Sequence, residues 1–118
     1  MTQKEYNGWT NYETWVVKLW MDNEQDTYSF WRVAAKTALL EAEANGPFSK
    51  EDQAILDLSD ALKANHEEGS EDFMEAGENE CGERSRVFKD LLRAALCEVN
   101  WHEIATNLIE RELAEPAA

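Results

Sequence analysis

Residues 85–114 read SRVFKDLLRAALCEVNWHEIATNLIERELA and place apolar side chains at intervals of three and four positions. This spacing lines up apolar side chains on one face of an α-helix. Asn100 interrupts the run and, with Glu103 three positions later, has the spacing of an N-terminal helix cap. The stretch therefore predicts two helices, over about 86–98 and 101–114, that meet at a sharp corner.

The core of these two helices is predicted from the same pattern. Ser85 is the expected cap of the first one. The positions expected to be buried are Val87, Phe88, Leu91, Leu92, Ala95, Leu96 and Val99 in the first helix, and Ile104, Ala105, Leu108 and Leu113 in the second. Cys97 lies in the same apolar run, and we expect it to be a small core residue and not a reactive thiol.

The first half of the chain predicts two more helices. Thr10 and Glu13 have the spacing of a capping box, which predicts a helix over about 11–21. A second helix is expected over about 24–44, ended by Asn-Gly-Pro at 45–47. The apolar positions expected to face inward are Tyr12, Trp15, Val16, Leu19 and Trp20 in the first helix, and Tyr28, Trp31, Ala35, Ala38, Leu39 and Ala42 in the second.

A third helix should begin after Ser49 and run to about His66. The segment 67–83 that follows predicts a short helix over 70–76, capped by Ser70, with loop around it. Alternating β-type patterns are absent from the sequence. The expected fold is therefore all-α: one domain over residues 1–118, a compact bundle of about five helices with an acidic connection between helices 3 and 4.

The acidic connection also carries the functional signal. Residues 67–83 contain eight carboxylates and no Lys or Arg, in a chain whose net charge is −14. Concentrated negative charge costs self-repulsion and is retained more easily if a cationic partner uses it. Carboxylates three and four positions apart on a helix lie about 5–6 Å from each other, comparable to neighbouring phosphates on one strand. The alternative reading is a solvated loop that only keeps the protein soluble.

We therefore predict a partner-binding surface in which Phe73 and Met74 are apolar anchors between acids. Its predicted residues are Glu67, Glu68, Glu71, Asp72, Phe73, Met74, Glu75, Glu78 and Glu80. If the helices pack suitably, the anionic face is extended by Asp22, Glu24, Asp26, Asp57 and Asp60. The only basic cluster in the sequence is Arg84, Arg86, Lys89 and Arg93. We expect it to pair with the neighbouring acidic segment 67–83.

Other classes of function are disfavoured. Eleven Lys and Arg against twenty-five Asp and Glu disfavour direct nucleic-acid binding, since neutralising phosphates needs a basic surface. The histidines and acids lack metal-site spacing, and no nucleophile or phosphate-loop motif occurs, so we expect no enzyme, cofactor or metal. No apolar run reaches the ~20 residues that span a bilayer, and the start lacks a signal-peptide core. The expected location is the host cytoplasm.

Residues 8–15, Gly-Trp-Thr-Asn-Tyr-Glu-Thr-Trp, and residues 19–24, Leu-Trp-Met-Asp-Asn-Glu, resemble a family of small proteins carried by phages and plasmids. Residues 99–105, Val-Asn-Trp-His-Glu-Ile-Ala, are similar to the family's other recurrent stretch. The family has no assigned activity, so the resemblance implies no site residue. It implies a mobile element that must survive host defences, where small acidic proteins often act as anti-restriction or anti-CRISPR inhibitors.

Two functional hypotheses follow. The first is a non-enzymatic DNA mimic that presents the 67–83 surface to the basic nucleic-acid groove of a host protein. The second is a helical interaction module that binds through its aromatic N-terminal region, with the acids serving solubility. It rests on five rings within fifteen positions, more than one helix face can bury: Tyr6, Trp9, Tyr12, Trp15 and Trp20. The sequence does not indicate an oligomeric state.

Overall fold

Five α-helices build the fold, which confirms the all-α class. A computed structural model of the protein describes residues 6–81 and 84–114, and the side chains of residues 6–76 and 86–114. No β-strand occurs in these ranges. The helices are α1 (Tyr12–Asn23), α2 (Gln25–Glu41), α3 (Lys50–Cys81), α4 (Arg84–Glu98) and α5 (Trp101–Ala114).

The core lies where α2, α3 and α5 meet. Leu58 and Leu62 of α3 and Ile104 and Ile109 of α5 are among its fully buried side chains. The His66 imidazole lies between two indole rings, with centroid distances of 5.9 Å to Trp31 and 5.0 Å to Trp101. The predicted positions that are buried in the structure are Trp31, Ala35, Ala42, Val99, Ile104, Ala105 and Leu108.

A network of hydrogen bonds joins the start of α1 to the end of α4 and the start of α5. The Thr14 hydroxyl donates to Asn11 Oδ1 at 2.7 Å and accepts from the Asn100 backbone N–H at 2.8 Å. Asn11 Nδ2 donates to the carbonyl oxygen of Glu98 at 2.7 Å. Thr14 is completely buried. A polar side chain therefore fixes α1 on α5, at what we call the α1–α5 junction.

Each helix at this junction is capped partly by the other. Asn100 Oδ1 accepts from the Glu103 N–H at 3.0 Å, which confirms Asn100 as the cap of α5. The Glu103 carboxylate, however, accepts from the Thr10 N–H at 3.1 Å and so reaches across to the residue before α1. These bonds satisfy N–H groups at two helix starts that have no partner within their own helix. Residues 8–15 and residues 99–105, two of the stretches quoted from the sequence, meet at this junction.

The cap and the buried face of α1 differ from the prediction. Asn11, and not Thr10, caps the helix by accepting from the Thr14 N–H at 2.9 Å. The buried residues are Thr14, Lys18 and Met21. None of the five apolar residues predicted to face inward is buried. The reason is that the junction needs Thr14 inside, which turns the opposite, apolar face of α1 outward.

The acidic segment is helical from its start to Cys81, so the predicted end of the third helix at His66 is wrong. α3 is one helix of 32 residues, about 48 Å long at 1.5 Å per residue. Ser70 does not cap a new helix, because its hydroxyl donates to the Glu67 carbonyl within α3 at 2.8 Å. Gly69 costs about 1 kcal/mol in a helix, which neighbouring Glu, Met and Ala residues of high helix propensity offset.

The exposure of α4 also differs from the prediction. Val87, Phe88 and Leu91 are exposed, as are Cys97 of the same helix and Leu113 of α5. Leu92, Ala95 and Leu96 are half-buried. Among the described residues the core has no member between positions 63 and 95. Residues 67–94 thus form a two-helix arm that extends past the core, and its α4 begins at Arg84, one residue before the expected cap.

Gly69→Ala should stabilise the protein by about 0.5–1 kcal/mol, because alanine loses less backbone freedom than glycine in a helix. A Cβ at Gly69 meets nothing within 4 Å. The matched control is Gly46→Ala, which is equally free of contacts but has a φ of +58°, so it should destabilise by about 1 kcal/mol. Urea denaturation measures both, and a neutral or destabilising Gly69→Ala would contradict a continuous α3.

Thr14→Val should destabilise the protein by about 1–3 kcal/mol, because the isosteric change removes a completely buried hydroxyl that bonds Asn11 Oδ1 and the Asn100 N–H. Thr14→Ser keeps the hydroxyl and should recover most of this loss. Thr37→Val, at an exposed position of α2, is the control and should stay within about 0.5 kcal/mol of wild type. Equal effects of the two valine variants in thermal or urea unfolding would refute the role of the junction.

Candidate partner-binding surface

Carboxylates line the outward side of α3. At 100° per residue, five of the predicted site residues fall within an arc of about 140°. Asp60 and Asp57, about two and three turns before Glu67, fall in the same arc. All of them are exposed. We call this set the acidic stripe: Asp57, Asp60, Glu67, Glu68, Glu71, Asp72 and Glu75.

The stripe is left unneutralised by basic side chains of the described part of the chain. The ion pairs found there join Lys18 to Asp22 at 2.6 Å and Arg32 to Glu112 at 3.7 Å, and neither includes a stripe residue. Within the stripe, like charges four positions apart repel each other by about 0.2–0.5 kcal/mol per pair. The stripe therefore attracts cations and anchors a negative potential along one side of the helix.

The two predicted apolar anchors do not belong to this surface. Met74 is buried, with 7% of its surface exposed. Phe73 is exposed, but it lies about 160° around the helix from Glu75, on the far side of α3 from the stripe. Neither side chain therefore lies between the acids of the stripe, because consecutive residues of a helix point in different directions. The side chains of Glu78 and Glu80 lie outside the described residues.

The predicted pairing of the basic cluster with the acids takes a different form. Arg93 lies beside Glu67 and Glu71 in a groove of about 310 Å³ between α3 and α4. The ion pairs between described residues include none from Arg86, Lys89 or Arg93. The Arg84 side chain is outside the described range. The basic side of α4 thus borders the stripe without covering it.

A second exposed surface surrounds the start of α1. Tyr6, Tyr12 and Trp15 form a ring cluster with centroid distances of 5.1–5.7 Å. Tyr12 is 49% exposed, and Trp20, two turns further along, is 59% exposed. A tight turn closed by mutual hydrogen bonds between Tyr6 and Trp9 holds the first ring in place. These residues form an apolar face on the outside of the protein.

A cleft of about 380 Å³ opens beside the α1–α5 junction. Gly8, Trp9 and Thr10 line one wall, and α5 lines the other with residues that include Glu103 and Glu110. Its observed hydrogen bonds are structural, as in the bond from the Thr10 N–H to Glu103. We find no nucleophile hydrogen-bonded to a base among the described lining residues. The cleft lies between the two motif stretches, and its α5 wall also includes His102 and Thr106.

Among the described residues, no three His, Cys, Asp or Glu side chains are placed to hold a metal ion. None of the helices in the same ranges combines the length and the apolar character needed to cross a bilayer.

The junction residues Asn11 and Thr14 are the part of the structure that sequence reasoning missed. Their signal was present, because Asn11 and Thr14 have the same three-residue spacing as Asn100 and Glu103. Thr10, one position earlier, was a competing candidate for the cap of α1. In the structure its N–H donates to the Glu103 carboxylate, whereas the predicted partner of Thr10 was Glu13. Hydrogen bonds to residues far along the chain thus accompany the choice of Asn11 over Thr10 as the cap of α1.

Fold and surface together define a small acidic all-α protein with a charged stripe on its longest helix. The chain belongs to DUF7249, a family of unknown function whose sequence profile matches residues 2–115. A comparison with curated proteins finds no match, and a comparison with solved structures finds none either.

Proposed function

We propose that this protein is a non-enzymatic inhibitor from a mobile element that acts as a DNA mimic. Its partner is the basic nucleic-acid groove of a host defence protein, such as a CRISPR effector or a restriction enzyme, or of another DNA-binding protein in the host cytoplasm. The acidic stripe is the docking surface. The resemblance of residues 8–15 and 99–105 to phage and plasmid proteins supports the origin, and the charge of the stripe supports the mechanism.

The spacing of charge along α3 carries the proposal. The stripe places seven carboxylates between Asp57 and Glu75, over about 27 Å of helix at 1.5 Å per residue. That is one negative charge per about 4 Å, close to the one per 3.4 Å of a single DNA strand. A groove built to neutralise one strand therefore meets a similar density of charge on this helix.

The continuity of α3 favours binding over a merely solubilising role. A helix that is already formed pays less conformational entropy on binding than a loop that must be ordered. The buried core side chains Leu58 and Leu62 fix the first half of the stripe, and Met74, which is also buried, lies in the second half. Long-range attraction between the stripe and a basic groove also raises the association rate.

Neutralising the stripe should weaken inhibition of DNA binding by a target effector or restriction enzyme by at least about tenfold, since close charge pairs dominate such interfaces. The stripe variant combines Glu67→Gln, Glu68→Gln, Glu71→Gln, Asp72→Asn and Glu75→Gln. Binding of labelled DNA to the purified target, with each protein as competitor, measures the effect.

A control variant changes five Glu elsewhere to Gln, so that net charge changes equally. All five are exposed and lie outside the predicted anionic face: Glu41, Glu43, Glu51, Glu98 and Glu110. The control should inhibit nearly as well as wild type, and wild-type inhibition should fall steeply as salt rises. Equal loss in both variants would show that only overall charge matters, and unchanged inhibition by the stripe variant would end the proposal.

A second candidate function is supported by the outward apolar face of α1. Trp and Tyr dominate the energetics of protein interfaces, and this face exposes Tyr12 and Trp20 beside the Tyr6–Trp15 ring contact. The protein is then a helical interaction module whose acids serve solubility. Contact through such a face loses little affinity at high salt, unlike contact through the stripe.

Combining Tyr12→Ala with Trp20→Ala tests this candidate. If the protein binds through the aromatic face of α1, binding to a captured host protein should persist at high salt. The affinity should fall by about 30-fold or more in the double variant, the typical effect of removing interface hot spots. Phe30→Ala, also more than half exposed, is the control on α2. Calorimetric titration at two salt concentrations decides between the surfaces. A salt-sensitive complex that ignores the α1 change would reject the aromatic surface.

A further inference from the structure

The two-helix arm has an apolar edge that the described part of the chain leaves uncovered. Phe73 of α3 is 73% exposed, and Val87, Phe88 and Leu91 of α4 are 60%, 57% and 62% exposed. On α4, positions 87, 88 and 91 fall within an arc of about 100°. We call these four residues the apolar edge.

Helix geometry places the apolar edge on the side of the arm opposite the acidic stripe. Arg93 borders the stripe, in the groove with Glu67 and Glu71. Leu91 lies about 160° around α4 from Arg93, and Phe73 lies about 160° around α3 from Glu75. Both helices thus direct apolar side chains toward the same side, away from the acids.

The size of the edge matches the apolar part of a stable dimer interface. At the exposures above, two Phe, one Val and one Leu present roughly 400–500 Å². Specific interfaces bury about 800 Å² per partner, of which about 56–58% is apolar. A patch of this size falls within the range of the largest apolar patch on a typical monomer, and such patches are often functional.

The charges that border the edge are complementary to themselves. Arg86 and Asp90 are both exposed and lie on one flank of the α4 part of the edge, one turn apart. In an antiparallel pair of identical helices related by a two-fold axis, equivalent flanks face each other. An axis near Phe88 sets Arg86 of each copy opposite Asp90 of the other.

We propose that a second copy of this chain covers the apolar edge. The arms of two copies pack antiparallel through α4, so that two helix pairs form a four-helix bundle. Phe73, Val87, Phe88 and Leu91 of both copies make its apolar layer, and two Arg86–Asp90 pairs between the copies fix the register. The acidic stripes of both copies stay on the outside, so the dimer is independent of the proposed DNA mimicry.

Analytical ultracentrifugation of the full chain tests the dimer. Wild type should sediment as a species of twice the 13.5 kDa chain mass at tens of micromolar and dissociate on dilution. Val87→Glu with Leu91→Glu should raise the dissociation constant by about 100-fold or more, since it buries charge in the apolar layer. The matched control is Val33→Glu with Leu40→Glu on α2, where the same residue types are 62% and 73% exposed. It should dimerise like wild type.

A charge-swap experiment tests the register without changing the apolar layer. Arg86→Asp alone and Asp90→Arg alone should each weaken self-association, because like charges then face each other across the axis. An equimolar mixture should form heterodimers at least about tenfold tighter than either variant's own dimer, since opposite charges are restored. The charge-swap experiment remains valid even if the variant that combines Val87→Glu with Leu91→Glu fails to fold. Circular dichroism reports whether that variant is folded.

Three results would overturn the proposal. A wild-type chain that stays at the monomer mass up to hundreds of micromolar excludes the dimer. A dimer broken equally by the α2 control and the α4 variant, or by the control alone, places the contact elsewhere. A mixture of charge variants that associates no better than its components excludes the antiparallel α4 pairing.

Discussion

The Thr14 hydroxyl is the point on which the arrangement of the helices depends. It is completely buried and bonded on one side to Asn11 and on the other to the N–H of Asn100, so it ties the start of α1 to the start of α5. A buried hydroxyl without such partners costs free energy, and this one is fully used. The rotation of α1 follows from it. With Thr14 inside, the apolar stripe that ends at Trp20 faces solvent, and the chain gains an aromatic surface.

The sequence was sufficient for features that local chemistry determines. The five helices, the cap at Asn100 and the turn after α2 follow from periodicity and from the conformational preferences of Asn, Gly and Pro. It was insufficient where distant residues decide. The face of α1 depends on a partner 86 positions away. Gly69 and Ser70 resemble helix-ending residues in the sequence, yet α3 continues through both of them, and Met74 beyond them is buried.

The candidate surface shows the same division. The clustering of the acids is visible in the sequence, and the regularity of α3 aligns five of the predicted carboxylates on one side. Apolar character alone does not say whether a side chain is covered. Met74 is buried while Val87 and Leu91 are exposed. Only the three-dimensional course of the arm shows that the acidic stripe and the apolar edge lie on opposite sides of it.

His66, between the rings of Trp31 and Trp101, marks a border inside α3. Before it the helix is held by the core, and after it mainly by α4. Opening free energies follow local burial, so backbone amides on the two sides of this border belong to different cooperative units. We expect amide hydrogens in the core-packed turns before His66 to exchange only with global unfolding, and those beyond it to exchange whenever α3 and α4 separate. One uninterrupted helix therefore contains two levels of protection against solvent.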